Sequence, residues 1–312
     1  SSFGEVLVDK KQLISLSITL LSATTFSSAK VGRQAILQSG DEPPIVALGD
    51  IPNPEQFQPA INAYMKIATE RMRNVETLLT QLSEALEQNN LTLAQQKYIE
   101  AHYQYETIRP VVLVFGNIDR MINSRAEAFL AREQDPNFKG FHAVEYELFA
   151  QKNIENALLE NQKLLKNVKD LAKRIAIETI FLPKLVQSAP DFAENILENK
   201  LSGQDNIYSG ADLGEIVANL EGIDLITAQL QNFIPQTLLQ KTLPLDVKIR
   251  SRLQKYMTNT GFMPYSALTD EDKHALYGDV SELAEQLAQL RSLLKVQVYH
   301  QFDGSDIKNE EK

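Results

Sequence analysis

The stretch Gly140-Phe141-His142-Ala143-Val144-Glu145 places an imidazole and a carboxylate three residues apart. If the apolar run Tyr146-Glu147-Leu148-Phe149 that follows is helical, both side chains share one helix face. Imidazole suits borderline transition metals and carboxylate suits harder ions such as ferric iron or manganese, so the pair can offer two ligands to one ion. The same spacing also arises at an ordinary helix start, where the histidine packs and the glutamate favours the positive end of the helix dipole. The residues alone leave both readings open. The other histidines, His102, His274 and His300, lack ligand spacing. His102 lies one helical turn before Glu106 and can face the same interior, but a packed or solvated position is the plainer expectation. No His-Glu-x-x-His, Gly-rich phosphate loop or nucleophile elbow occurs, so catalysis ranks below binding.

Composition narrows the classes further. The net charge of -10, with no basic cluster, argues against a nucleic-acid partner. The chain has no cysteine, which excludes disulfides, thiolate metal sites, a cysteine nucleophile and a lipidated cysteine anchor. That leaves the compartment open. Hydrophobic residues make up 43% of the chain, ample for a core.

Residues 1–54 read as an extension of uncertain structure. Lys10-Lys11 precede an apolar run from Leu13 to Leu21, which ends in Ser27-Ser28-Ala29. That order matches a secretory signal, and it also suits a buried helix or strand pair. The run is too short to span a bilayer. From Glu55 onward apolar residues recur at three- and four-residue steps, as in Ile61, Tyr64, Met65 and Ala68. Thr92 is expected to cap the second helix, Pro110 to kink or interrupt it, and a third helix to run from Ile118 through Leu130. A long helix is expected over Ile154 to Ile180, another from Asp212, a loop over Thr258 to Ser266, and an N-cap at Thr269. The fold class is all-α, with long antiparallel helices in two bundle-like halves, 55–188 and 189–312.

Four stretches in order carry a family likeness. They are Tyr105-Glu106-Thr107-Ile108-Arg109-Pro110 with Phe115-Gly116-Asn117-Ile118-Asp119; Gly140 to Glu145; Tyr208-Ser209-Gly210-Ala211-Asp212-Leu213 with Ala218-Asn219-Leu220-Glu221-Gly222; and Gly261-Phe262-Met263-Pro264-Tyr265-Ser266-Ala267-Leu268-Thr269. Together they resemble the imelysin-like (imelysin peptidase) family, and within it the EfeO-type iron-uptake branch. The resemblance covers roughly Gln56 to Leu294. It implies two related four-helix bundles, an extracytoplasmic and specifically periplasmic location, and a metal site between helices. Residue by residue, it maps the ligand set onto Glu106, His142, Glu145 and Asp205. The family's second glutamate is Arg109 here, its next aspartate is Asn123, and a histidine after Tyr-Ser is Gly210.

Those departures change the chemistry. Guanidinium offers no lone pair to a metal and stays protonated. Pointing inward, Arg109 is expected to pair bidentately with Glu106 and Glu145 and supply the charge a metal supplies elsewhere. Turned outward, it leaves the four candidate ligands free. The expectation is thus a non-catalytic extracytoplasmic binding protein related to iron uptake. Its metal site is degenerate, with no cofactor or only a weakly bound ion of the iron or zinc class. Its role then runs through a membrane or extracytoplasmic protein partner docked on residues 1–54, or through an acidic glycan. The alternatives are a functional metal carrier using His142 and Glu145, a metallopeptidase, and a structural subunit.

Overall fold

The computed structural model describes residues 54–113 and 115–294. The expectations for the N-terminal extension lie outside the described residues. Among those described, the chain is all-α: ten α-helices and one two-stranded hairpin.

Helix α1 (Gln58–Glu87) buries Ile61, Tyr64, Met65, Ala68, Met72, Val75, Leu79 and Leu82 at helical spacing. The chain turns at Asn89, whose φ is 58°. Helix α2 (Leu91–Leu113) starts two residues earlier than expected. Asn90, not Thr92, is its cap, with Asn90 Oδ1 accepting from Leu93 N at 3.1 Å. The helix continues through position 110, where proline has no N–H to give to the carbonyl of Glu106. Asn219 Nδ2 takes that carbonyl at 3.2 Å, which is how α2 tolerates the proline.

Helix α3 (Asn117–Asn123) is shorter than its apolar pattern predicts. Single 3₁₀ turns at Ala126–Ala128 and Arg132–Gln134 replace the expected continuation, and Leu130 is fully exposed between them. Helix α4 (Phe141–Glu145) passes into a π-helical turn, Tyr146–Gln151. Helix α5 (Ile154–Ile177), capped by Asn153 Oδ1 on Asn156 N at 3.0 Å, ends three residues short of the expected Ile180. Helix α6 (Leu182–Asn195) likewise passes into a π-helical turn, Ile196–Lys200. Pro183 sits in the first turn of α6, where a missing N–H costs nothing. Helices α7 (Asp212–Leu230), α8 (Gln236–Gln254), α9 (Asp270–Ala288) and α10 (Leu290–Leu293) complete the set. Thr269 Oγ1 caps α9 as expected, accepting from Asp272 N at 3.2 Å. The segment read as a loop contains β1 (Met257–Thr258) paired antiparallel with β2 (Gly261–Phe262).

Helices α1, α2 and α5 pack together, as do α6 with α7 and α9, and α8 with α9. Helix α2 also packs on α7, and one apolar cluster runs through both groups. The division drawn at 188/189 falls inside α6, which packs with the later helices. Close approach of α2 to α7 requires Gly222. A Cβ there would lie 2.6 Å from the Thr107 carbonyl oxygen and 2.7 Å from Phe192 Cζ. Gly222→Ala is therefore expected to cost about 1–3 kcal/mol by overpacking, read as a lowered urea midpoint with unchanged slope.

Candidate functional site

The α2–α7 contact carries a buried polar cluster. Helix α2 contributes His102 and Glu106 one turn apart, α7 contributes Asp212, Glu215 and Asn219, and α3 contributes Asn123. The π-helical turn after α6 ends on Lys200, and the loop that follows brings Asp205 and Asn206. All these side chains are buried. Widened turns of this kind re-aim side chains at functional sites, and here one delivers a lysine to the core.

Lys200 Nζ is the centre of the cluster. It contacts Asp205 Oδ2, Glu215 Oε2 at 2.6 Å and Glu106 Oε2 at 3.3 Å. Burial alone would favour the neutral amine, but Asp205, Glu106 and Glu215 hold its pKa well above the ordinary lysine value. It is an ammonium with no lone pair to give. Burial pushes the Glu106 carboxyl upward, but Lys200, Arg109 and His102 outweigh that and bring it down to about 2. Asp205 is likewise held well below the usual range, chiefly by Lys200 and His142 against the cost of burial.

His102 belongs to the same cluster: it faces the interior with Glu106, and of the packed and solvated positions expected for it, it takes the packed one. Its Nδ1 contacts Glu215 Oε1, and its Nε2 lies 2.9 Å from Asn123 Oδ1. Asn123 Nδ2 in turn donates to Glu106 Oε1 at 3.2 Å, so the amide orientation makes Nε2 a donor. Burial would neutralise the ring, but Glu215 and then Glu106 raise its pKa to about 9. Asp212 goes the other way, pushed up to about 7 by burial against the pull of Lys200.

His142 and Glu145 sit beside this cluster, with the His102 and His142 ring centroids 5.3 Å apart. The hallmark glycine has a steric cause. Gly140 has φ +100°, and a Cβ there would lie 2.3 Å from the Ile122 carbonyl oxygen. His142 Nδ1 lies 2.8 Å from Glu145 Oε2. A carboxylate only accepts, so Nδ1 carries a proton in this contact. Glu145 is fixed in turn, since its Oε1 accepts from Tyr208 N at 3.2 Å, Ser209 N at 2.9 Å and Ser209 Oγ at 2.9 Å. His142 Nε2 has no hydrogen-bond partner and lies 3.7 Å from Asp205 Oδ1, too far for one.

Of the four sequence candidates, His142 thus meets Glu145 and approaches Asp205, while Lys200 bridges Asp205 to Glu106. Among the described residues, the group whose three donor atoms lie within 4.8 Å of one another is His102, Glu106 and Glu215. As protonated, that trio does not fit a metal ion: its histidine uses both nitrogens and its two carboxylates already hold an ammonium.

Arg109 does not make the expected bidentate pair with Glu106 and Glu145. Its Nη1 donates to Asn195 Oδ1 at 3.2 Å and stays 3.9 Å from Glu106, while its Nε lies 3.8 Å from Asp119. Asp119 is occupied by the Tyr105 hydroxyl at 2.6 Å. The arginine therefore flanks the cluster and Lys200 fills it.

Sequence reasoning missed Lys200, Glu215 and Asn219 as site residues. Asp212, Glu215, Asn219 and Gly222 recur at three- and four-residue steps like core positions, which was a usable signal for α7. Lys200 gave none, because a lysine at a core-period position ordinarily snorkels to water.

Comparison with known proteins agrees with these motifs. The imelysin family model matches residues 60–291. The iron uptake system component EfeO of Escherichia coli K12 is 35% identical over 240 residues, 75% of this chain. The proteins of the same name from Shigella flexneri and Shigella sonnei match at the same identity and coverage. The chain spans 64% of the length of these relatives. Spanning most of the described helices, these matches place the chain in the imelysin family.

Proposed function

We propose that this chain is a non-catalytic binding protein of an iron-uptake-related system, working outside the cytoplasm, most specifically in the periplasm. Its central site is neutralised by its own lysine and does not hold a bare metal ion tightly. Support comes first from Lys200 Nζ, seated among three carboxylates where a cation would sit. The relatives named as iron uptake system components support the wider setting. Among the described residues no helix is long and apolar enough to cross a membrane.

A hydrolytic zinc site needs three neutral or anionic ligands, an open position and a general base. In this cluster His102 is held protonated and Glu106 is held against Lys200. A carrier is the second reading, favoured by the free Nε2 of His142 facing Asp205. Partners remain as expected from the sequence: a membrane or extracytoplasmic protein, or an acidic glycan.

Calorimetric titration of metal-stripped protein with ferric, ferrous, zinc and copper ions separates the two. The natural protein is expected to give no tight saturable binding. Lys200→Met, which vacates the place among Glu106, Asp205 and Glu215, is expected to gain it. Tight binding by the natural protein that disappears in His142→Ala would install the carrier instead.

A further inference from the structure

Helix α5 (Ile154–Ile177) has two faces of opposite chemistry. Ala157, Leu164, Val168, Leu171 and Ile175 are buried against the bundle. On the other side Leu159, Lys163, Lys166, Asp170 and Lys173 follow one another at steps of four, three, four and three residues, which lines them up along the helix. Lys169 and Arg174 flank that line, and all seven residues are exposed. Positions 163–174 thus turn five cations and one anion outward, in a chain whose net charge is -10. None of them belongs to the central cluster.

Helix electrostatics account for little of this excess. Arg174 alone lies in the last turn, where a cation suits the negative end of the helix dipole. Lys163 meets Glu160 at 2.8 Å, but its side chain is 55% exposed and such a pair is weak. Among the described residues, Lys166, Lys169, Lys173 and Arg174 form no ion pair. Four of the five cations are lysines, point charges without the planar fork that grips one carboxylate or phosphate bidentately. At 1.5 Å per residue they spread over about 16 Å of helix, which suits an extended field of anions. Leu159, 51% exposed, stands in the same line. An acidic polymer in water would leave it wet, whereas the boundary between lipid headgroups and acyl chains would cover it.

We propose that the outward face of α5 docks on an anionic lipid surface, its lysines reaching headgroup phosphates and Leu159 entering the boundary beneath them. The net charge of the chain opposes that approach, so the stripe has to supply the attraction locally. At 0.1 M salt the screening length is about 10 Å, which leaves contacts at the stripe effective and mutes the more distant carboxylates. The proposal is independent of whether the central cluster binds metal.

The full chain is mixed with vesicles of phosphatidylglycerol and phosphatidylcholine in equal parts, or of phosphatidylcholine alone, and the bound fraction is read by sedimentation. Binding is expected to the anionic vesicles only, and it should fall steeply as salt rises above physiological strength. Each lysine near the surface is worth about five-fold in affinity, so the triple variant Lys166→Gln, Lys169→Gln, Lys173→Gln should bind about a hundred-fold more weakly. The triple variant Lys241→Gln, Lys248→Gln, Lys255→Gln removes the same charge from exposed lysines of α8 and its C-terminal cap. It should bind within about two-fold of the natural protein, because its lost charges lie away from the docked face. Circular dichroism confirms that both variants fold. No sedimentation with anionic vesicles, equal binding to both vesicle types, or equal loss in the two variants would overturn the proposal. Binding to soluble polygalacturonate without binding to vesicles would overturn it in favour of an acidic glycan.

Discussion

Replacing Lys200 with methionine is expected to destabilise the protein by about 3–5 kcal/mol at neutral pH, the usual cost of removing one partner from a buried charge pair. Methionine matches the stem of lysine, so lost packing is a minor part of the effect. The large part is electrostatic. Glu106, Asp205 and Glu215 all lose the ammonium that contacts them. The pH dependence between 7 and 5 should steepen as well. With lysine present, Glu106 is depressed to about 2 and contributes stability above its ordinary range. Without it, burial dominates, the carboxyls rise, and the variant should become more stable as pH falls from 7 toward 5. A divalent or ferric ion can then take the vacated place, so Lys200→Met should gain metal-dependent stabilisation that the natural protein lacks. Thermal unfolding with and without zinc, at pH 5 and 7, reads all three effects. A variant that melts like the natural protein at pH 7 would remove Lys200 from the centre of the cluster.

The path to that lysine marks how far the sequence leads. Helical period in Ile61, Tyr64, Met65 and Ala68 and the turn residues at Asn89-Asn90 make the bundle readable, because burial against neighbours repeats every helical turn. The short α3 is not readable in the same way. Ala126, Phe129 and Leu130 continue a helical period, yet Leu130 ends fully exposed beyond a chain that has already turned. The hallmark His142–Glu145 pair is local and its geometry follows from its spacing. The charge balance of the cluster is non-local. Replacing carboxylates by Arg109 and Asn123 signals that some cation is tolerated near Glu106, but which cation enters depends on a π-helical turn about ninety residues away. Asn219 is legible only jointly with Pro110, since it answers the carbonyl that the proline leaves free.

The same cluster fixes how stability should follow pH. Glu106 has a folded pKa near 2 against an ordinary value of 4.5, so its contribution is complete above 4.5 and is lost as pH falls toward 2. His102 has a folded pKa near 9 against 6.5, so its contribution is complete below 6.5 and is lost as pH rises through 9. Each shift corresponds to a few kcal/mol at most, on the order of 3 kcal/mol, at 1.36 kcal/mol per pKa unit. Asp212 runs against Glu106: its folded value near 7 lies above the ordinary 3.8, so ionising it costs stability as pH rises from 3.8 to 7. Maximum stability should therefore fall between about pH 4.5 and 6.5, with a decline on the alkaline side before any lysine titrates. Asp212→Asn should flatten the decline between 4 and 7 and leave the loss near 9 in place. His102→Gln should do the reverse, keeping the amide link to Asn123 while deleting the alkaline limb. Urea midpoints taken from pH 3 to 10 separate the two. An alkaline limb that survives in His102→Gln would assign it to another group and return His102 to a neutral, packed ring.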